Sequence, residues 1–251
     1  MEDVITDAPP PSRFFPDDLD NFASPSSPLP LPFLLFSGQN NKPPRPSTLV
    51  IAASPASCYV VHHLSPKTLI GALFLPELPL AGCSLEPSPG NTGCSIYAAG
   101  EDAVLVSFQY PVAADRARAV AKRLLEDLSP AGVLVLDSVR SGGFRGCLSA
   151  DEALVFKLET AEQRAAGSGT ALRSVPYYPT GSVADGLSAA LLAECQMKKL
   201  RGTLCLTWPE AGDPAAVSLL EAVLRDFLPP DLGLRSDKGI RVTGVESDLY
   251  V

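Results

Sequence analysis

The run Thr-Leu-Val-Ile-Ala-Ala at residues 48–53, set between Pro46 and Pro55, constrains the fold most. Side chains of a strand alternate between two faces, so a strand that is apolar at consecutive positions has to be covered on both. A second run of this kind, Gly-Val-Leu-Val-Leu-Asp-Ser-Val at 132–139, follows a segment of opposite character. Residues 112–128 carry Val112, Val120, Leu124, Leu125 and Leu128 on one side of a helix and Asp115, Arg116, Arg118, Lys122, Arg123 and Glu126 on the other, which is an amphipathic pattern. Pro111 stands at its start and Ser129-Pro130 ends it. Strands that need covering twice, with helices able to cover them, predict an α/β fold: a three-layer sandwich of a central sheet flanked by helices.

The rest of the chain supplies the order of elements. Residues 57–62 and 68–75 read as strands, the second ended by Pro76. Residues 94–98 and 103–110 read as an antiparallel pair joined by the turn Ala99-Gly100-Glu101-Asp102. A short strand is predicted at 154–158 and a short helix or turn at 160–166. A second long helix covers 183–200, with Leu187, Leu191, Leu192 and Cys195 toward the core and Lys198-Lys199 at the end where cations complement the helix dipole. After a strand at 202–208, Asp213 as N-cap and Pro214 as first helical residue open a third helix through Phe227, closed by Pro229-Pro230. Strands come first and helix–strand alternation later, so the sheet is expected to be mixed.

Residues 1–47 are dense in Pro, Ser, Asp and Asn and read as a disordered tail. The single α/β domain is placed at 48–240 and a flexible C-terminal tail at 241–251. Within the first stretch the apolar island Phe33-Leu34-Leu35-Phe36 admits two readings, an edge packed back on the body or a docking segment for a partner.

Charge and cysteine usage narrow the function. A formal net charge of −8 without any cluster of Lys and Arg argues against a nucleic acid or an anionic membrane and favours a basic protein partner. Cys58, Cys83, Cys94, Cys147, Cys195 and Cys205 form no C-x-x-C pair and have no His at metal-finger spacing, so no metal is expected. No apolar run reaches transmembrane length, and Met1-Glu2-Asp3 is acidic where a signal peptide is basic. A cytoplasmic protein with reduced thiols is the expectation, with the nucleus left open.

No segment announces catalysis or a cofactor. Ser141-Gly142-Gly143 and Gly167-Ser168-Gly169-Thr170 lack the spacing of phosphate-binding loops and read as turns. His62-His63, the sole histidines, have no G-x-S-x-G elbow to serve. On the strand expected there, they would face opposite ways. Tyr177-Tyr178, held between Pro176 and Pro179, reads either as an exposed contact patch or as buried packing, and Trp208-Pro209-Glu210 as core packing at a strand end.

The most informative stretch is the ending Leu249-Tyr250-Val251. An aliphatic side chain, a phenol and a terminal carboxylate in succession can fill a pocket while the carboxylate pairs with a cation. The ending resembles the hydrophobic-tyrosine-any tail of the proteasome assembly chaperones. The segment Gly186-Leu187-Ser188-Ala189-Ala190-Leu191-Leu192, the strand into Trp208-Pro209-Glu210 and the helix opened by Asp213-Pro214 are similar to the same region of that family. The resemblance implies a non-enzymatic chaperone that pairs with proteasome assembly chaperone 2 and sits on the ring of proteasome α subunits. There it would guide ring formation and block premature activator docking. In that setting Leu249 would fill the apolar part of an intersubunit pocket, Tyr250 would pack on its wall, and the Val251 carboxylate would pair with a lysine. Two alternatives stay open: a C-terminal ligand for a PDZ domain, and a hydrolase- or nucleosidase-like α/β enzyme.

Overall fold

The computed structural model describes residues 29–37, 43–77, 93–149, 152–167, 169–209, 214–228, 230 and 232–234. The chain divides at Pro30, and every element below lies in the unit Leu31–Val251. In chain order these elements are β1 (Phe33–Phe36), β2 (Thr48–Ala52), α1 (Pro55–His63), β3 (Leu64–Ser65), β4 (Thr68–Phe74), β5 (Cys94–Ala99), β6 (Ala103–Phe108) and α2 (Ala114–Leu128). They continue with β7 (Gly132–Ser138), a 3-10 turn (Ser141–Gly143), β8 (Leu154–Glu159), α3 (Ala161–Ala166), α4 (Thr170–Ser174), α5 (Gly186–Met197), β9 (Arg201–Trp208), α6 (Pro214–Leu224) and β10 (Gly233–Leu234).

Eight strands form one sheet in the order β1-β4-β5-β6-β2-β7-β9-β8, and β10 pairs with β3 apart from it. The centre is parallel: β2 pairs with both β6 and β7, and β7 with β9. Both flanks are antiparallel, through β5 and β4 to β1 on one side and through β8 on the other. This is the mixed α/β sheet expected from the order of elements.

The two-faced burial read from residues 48–53 is realised in alternation. Leu49, Ile51, Val133, Val135, Leu204 and Leu206 belong to a core shared with Val120, Leu124, Leu125 and Leu128 of α2 and Leu187, Leu191 and Cys195 of α5. Val50, Ala52, Leu134, Leu136 and Cys205 belong to the opposite core, shared with Val60 and Val61 of α1 and Leu220, Val223 and Leu224 of α6. The central strands thus bury both faces, as strands covered on each side do.

Two sequence expectations are corrected, and one element is added to them. Residues 57–62 are not a strand but the body of α1. Ser54 sets that helix: its hydroxyl accepts from the Ser57 amide at 3.3 Å, the Ser57 hydroxyl accepts from the Ser54 amide at 3.0 Å, and Pro55 takes the first helical position. Such a capping box with an N-terminal proline outweighs the strand preference of Tyr59, Val60 and Val61. The helix expected at 183–200 is shorter, Gly186–Met197, because Gly186 enters it at φ +64° and Lys199 leaves it at φ +54°. The turn α4 was not anticipated at all. Asp213, expected as an N-cap, lies outside the described residues.

The two sheet edges are finished differently. Phe33-Leu34-Leu35-Phe36 adds as β1 to β4, so of its two readings the packed edge is the one found, and the sheet takes its first strand from within residues 1–47. Close approach there depends on Gly71, where a Cβ would lie 3.2 Å from the Phe36 Cα and meet the Leu35 carbonyl oxygen closer still. At the other edge, residues 176–178 strap β8. The Lys157 amide donates to the Pro176 carbonyl and the Tyr178 amide to the Lys157 carbonyl, both at 2.9 Å. The buried Lys157 ammonium donates to the Leu172 carbonyl at 2.8 Å and lies 4.8 Å from the centre of the Tyr177 ring, whose hydroxyl donates to Glu159 at 2.5 Å. The tyrosine pair therefore splits: Tyr178 is buried in the core, Tyr177 is exposed.

Thr160, between β8 and α3, is a buried junction. Its hydroxyl donates to the Leu200 carbonyl at 2.9 Å and accepts from the amides of Gly202 at 3.0 Å and Gln163 at 3.3 Å. One side chain thereby caps α3 and fixes the turn that leads from α5 into β9.

Candidate functional site

The carboxyl ends of parallel strands are where α/β sheets collect ligand groups. Here that edge carries Asp137, the sole charge in the apolar run of β7. Its Oδ1 accepts from the Ser138 amide at 2.8 Å and its Oδ2 accepts a short bond from the Ser188 hydroxyl of α5. The Thr207 hydroxyl donates to the Asp137 carbonyl at 3.2 Å, tying in β9. Burial raises the Asp137 pKa, outweighing the opposite pull of the bonds from Ser188 and Ser138 and of the nearby Arg140 charge. The space beside it, lined by Ser138, Tyr178, Ser188 and Leu206 and reaching Arg140, Val183 and Asp185, amounts to about 10 Å³, about the least that admits a single water molecule. This half-buried carboxyl brackets β7 to α5 through its bond from Ser188.

The pKa direction has a testable sign. A carboxyl whose folded pKa is raised above its ordinary 3.8 favours the fold below the unfolded pKa and loses that contribution as pH rises through the folded pKa. Asp137→Asn does not titrate and keeps a donor toward neighbouring acceptors. The stability of the variant relative to the parent, from urea midpoints, should therefore increase as pH climbs out of the acid range. A difference that stays flat with pH would show that Asp137 titrates as it does in water.

The other candidate nucleophiles and bases do not converge. The Cys58 thiol donates to the carbonyls of Phe108 at 3.1 Å and Ala52 at 3.6 Å, and burial pushes its pKa up. Burial likewise pushes Cys195 and Cys205 up to about 12 and raises Cys94, so these thiols stay protonated and poorly nucleophilic. His62 and His63 lie in the last turn of α1 rather than on a strand. His63 Nδ1 is 2.9 Å from the Tyr59 carbonyl, and the centre of its ring lies 4.1 Å from that of Tyr59, the two rings tilted by 34°. Partial burial, with His63 and Lys67 nearby, lowers the His62 pKa. Among the described residues no group of three or more His, Cys, Asp or Glu is placed to hold a metal ion, and no helix is long and apolar enough to cross a membrane.

A larger concavity, about 590 Å³, opens beyond β7, lined by Arg140, Gly142, Gly143, Phe144, Arg145, Gly181, Val183 and Asp185. Of these the sequence draws attention only to Gly142 and Gly143, weighed as a phosphate loop and read as a turn. The one available signal was the glycine pair after Arg140 facing a second glycine-containing turn at 181. The residues that the sequence did single out for binding, Leu249, Tyr250 and Val251, lie outside the described residues.

No family model and no curated protein matches the chain. Solved structures do. PbaA of Pyrococcus furiosus, described as an archaeal homologue of proteasome-assembly chaperone, aligns over 79% of this chain and 87% of its own with a TM-score of 0.57 at 19% identity. PbaB of the same organism, described as an archaeal proteasome activator, aligns over 80% of this chain and 91% of its own, with a TM-score of 0.55 at 14% identity. A Thermoplasma acidophilum protein of unknown function aligns over 73% and 76%, again with a TM-score of 0.55 at 14% identity. At these identities the likeness establishes a shared fold.

Proposed function

We propose that this chain is a proteasome assembly chaperone, similar to proteasome assembly chaperone 1, which acts without catalysis. It pairs with proteasome assembly chaperone 2 and docks its C-terminal Leu249-Tyr250-Val251 between α subunits of the proteasome ring. The observation that carries the reading is the fold it has in common with PbaA, a homologue of such chaperones, together with a chain ending suited to carboxylate-directed docking. The protonated state of the buried thiols supports a non-enzymatic role. The net charge of −8 supports a basic protein partner rather than nucleic acid.

In this reading the body pairs with the second chaperone and the tail engages the ring, so the two interactions separate. A pull-down with the full chain and with a variant ending at Asp248 tests this. The full chain should retain α subunits and the second chaperone. The shortened one should lose α subunits and keep the chaperone. Retention of α subunits by the shortened chain would remove the docking role of the tail. Capture of a PDZ protein in place of α subunits would favour the PDZ alternative.

A further inference from the structure

The concavity beyond β7 is built before any ligand arrives. Its two walls, the 3-10 turn with Phe144 and Arg145 on one side and residues 181–185 on the other, are stitched together by one backbone bond and one bond to a side chain. The Val183 amide donates to the Gly143 carbonyl at 2.7 Å, and the Arg145 amide donates to the Ser182 hydroxyl at 2.8 Å. Arg140 Nη1 stands 3.3 Å from an Asp185 oxygen across the gap. Phe144 anchors the floor to the core, its ring 5.3 Å from that of Phe156 and 5.8 Å from that of Tyr178. At Gly142 a Cβ would meet nothing within 4 Å, whereas at Gly143 it would strike the Val183 carbonyl oxygen at 2.5 Å. The glycines thus keep the walls close and the floor open.

The charges in this groove do not cancel. Arg140 is matched by Asp185, but the exposed Arg145 guanidinium has no hydrogen-bond or ion-pair partner among the described residues. That leaves one unmatched positive charge in a concavity of a chain whose net charge is −8. Val183 beside it is 63% exposed and offers an apolar contact. A cavity of this size holds a few residues rather than a folded surface.

We infer that this groove binds an acidic peptide segment, a carboxylate seated on Arg145 with an apolar neighbour against Val183. Guanidinium and carboxylate match as a two-pronged pair. The Asp185 carboxylate accepts from peptide amides and repels a polyphosphate, which selects a singly charged anion carried on a peptide. This inference does not rest on ring docking by the tail.

The test uses the full chain and a fluorescein-labelled hexapeptide alternating leucine and glutamate, followed by anisotropy, with a leucine–glutamine counterpart as control. The acidic peptide should bind, more weakly as salt rises, and the neutral one should not. Arg145→Glu should weaken binding by about tenfold or more, Arg145→Lys should retain part of it, and Asp185→Asn should strengthen it by freeing Arg140. Equal binding of both peptides, no binding of either, or no response to Arg145→Glu would overturn the assignment. So would displacement of the acidic peptide by pyrophosphate at lower concentration than by free glutamate peptide, since that marks a phosphate site. The pull-down outcome with the chain ending at Asp248 is independent of all these results.

Discussion

Thr160→Val should lower the unfolding free energy by about 3 kcal/mol, a large effect for a change that keeps the side chain's shape. The hydroxyl donates to the Leu200 carbonyl and accepts from the amides of Gly202 and Gln163. Thr160 is buried, and so is Gly202, the second residue of β9. Valine fills the same volume and leaves those groups without partners, each costing about 1–3 kcal/mol when water cannot replace the bond. Thr160→Ser keeps the hydroxyl and loses one methyl, so its cost should stay near 1 kcal/mol. Urea unfolding of the two variants separates the contributions, with the midpoint shifting and the slope constant. If Thr160→Val costs nothing while Thr160→Ser does, the methyl contact with Gly202 matters and the hydroxyl does not.

Tyr250→Ala should weaken ring binding by about 2 kcal/mol, or about thirtyfold in Kd, as loss of a seated aromatic anchor does. In the proposed docking, extending the chain past Val251 by a few residues should be comparably damaging, because it would move the carboxylate away from the cation proposed to receive it. Affinity for purified α subunits, measured for both variants, decides. An extended chain that binds normally would mean that the terminal carboxylate is not read, and a normal Tyr250→Ala would mean that the ring does not receive the phenol. Neither change should alter the thermal midpoint of the body.

The layers were legible because they rest on composition along single segments. Val120, Leu124 and Leu128 declare one helix face without help from elsewhere, and residues 48–53 declare a doubly covered strand. What failed depended on finer signals. In Ser54-Pro55-Ala56-Ser57 the local cap competes with the aromatic and branched residues that follow, and the cap prevails because it satisfies amides at the start of α1. Helix α5 was overextended because the positive φ at Gly186 and Lys199 is invisible to periodicity. The strand order was out of reach for a different reason: nothing in β2 states that its neighbours are β6 and β7. The groove formed by Arg140, Arg145 and Asp185 joins segments about forty residues apart, as Arg140 and Asp185 are, so its charges read in the sequence as scattered surface residues.

The central position of β2 has a consequence for the birth of the chain. Thr48 pairs with Ala103 on one side and Gly132 on the other, so the earliest of the core strands waits for partners 55 and 84 residues further on (103 − 48 and 132 − 48). At a synthesis rate of roughly 5–20 residues per second, about 4 s or more pass between the making of Thr48 and that of Gly132. Until β6 is made Leu49, Val50 and Ile51 have neither ladder to join, until β7 is made they have only one, and non-local pairings of this kind are slow to close even once both partners exist. A segment that the finished molecule hides completely is therefore one that a nascent chain displays for seconds, and a helper that grips extended apolar peptides during translation would find a hold there.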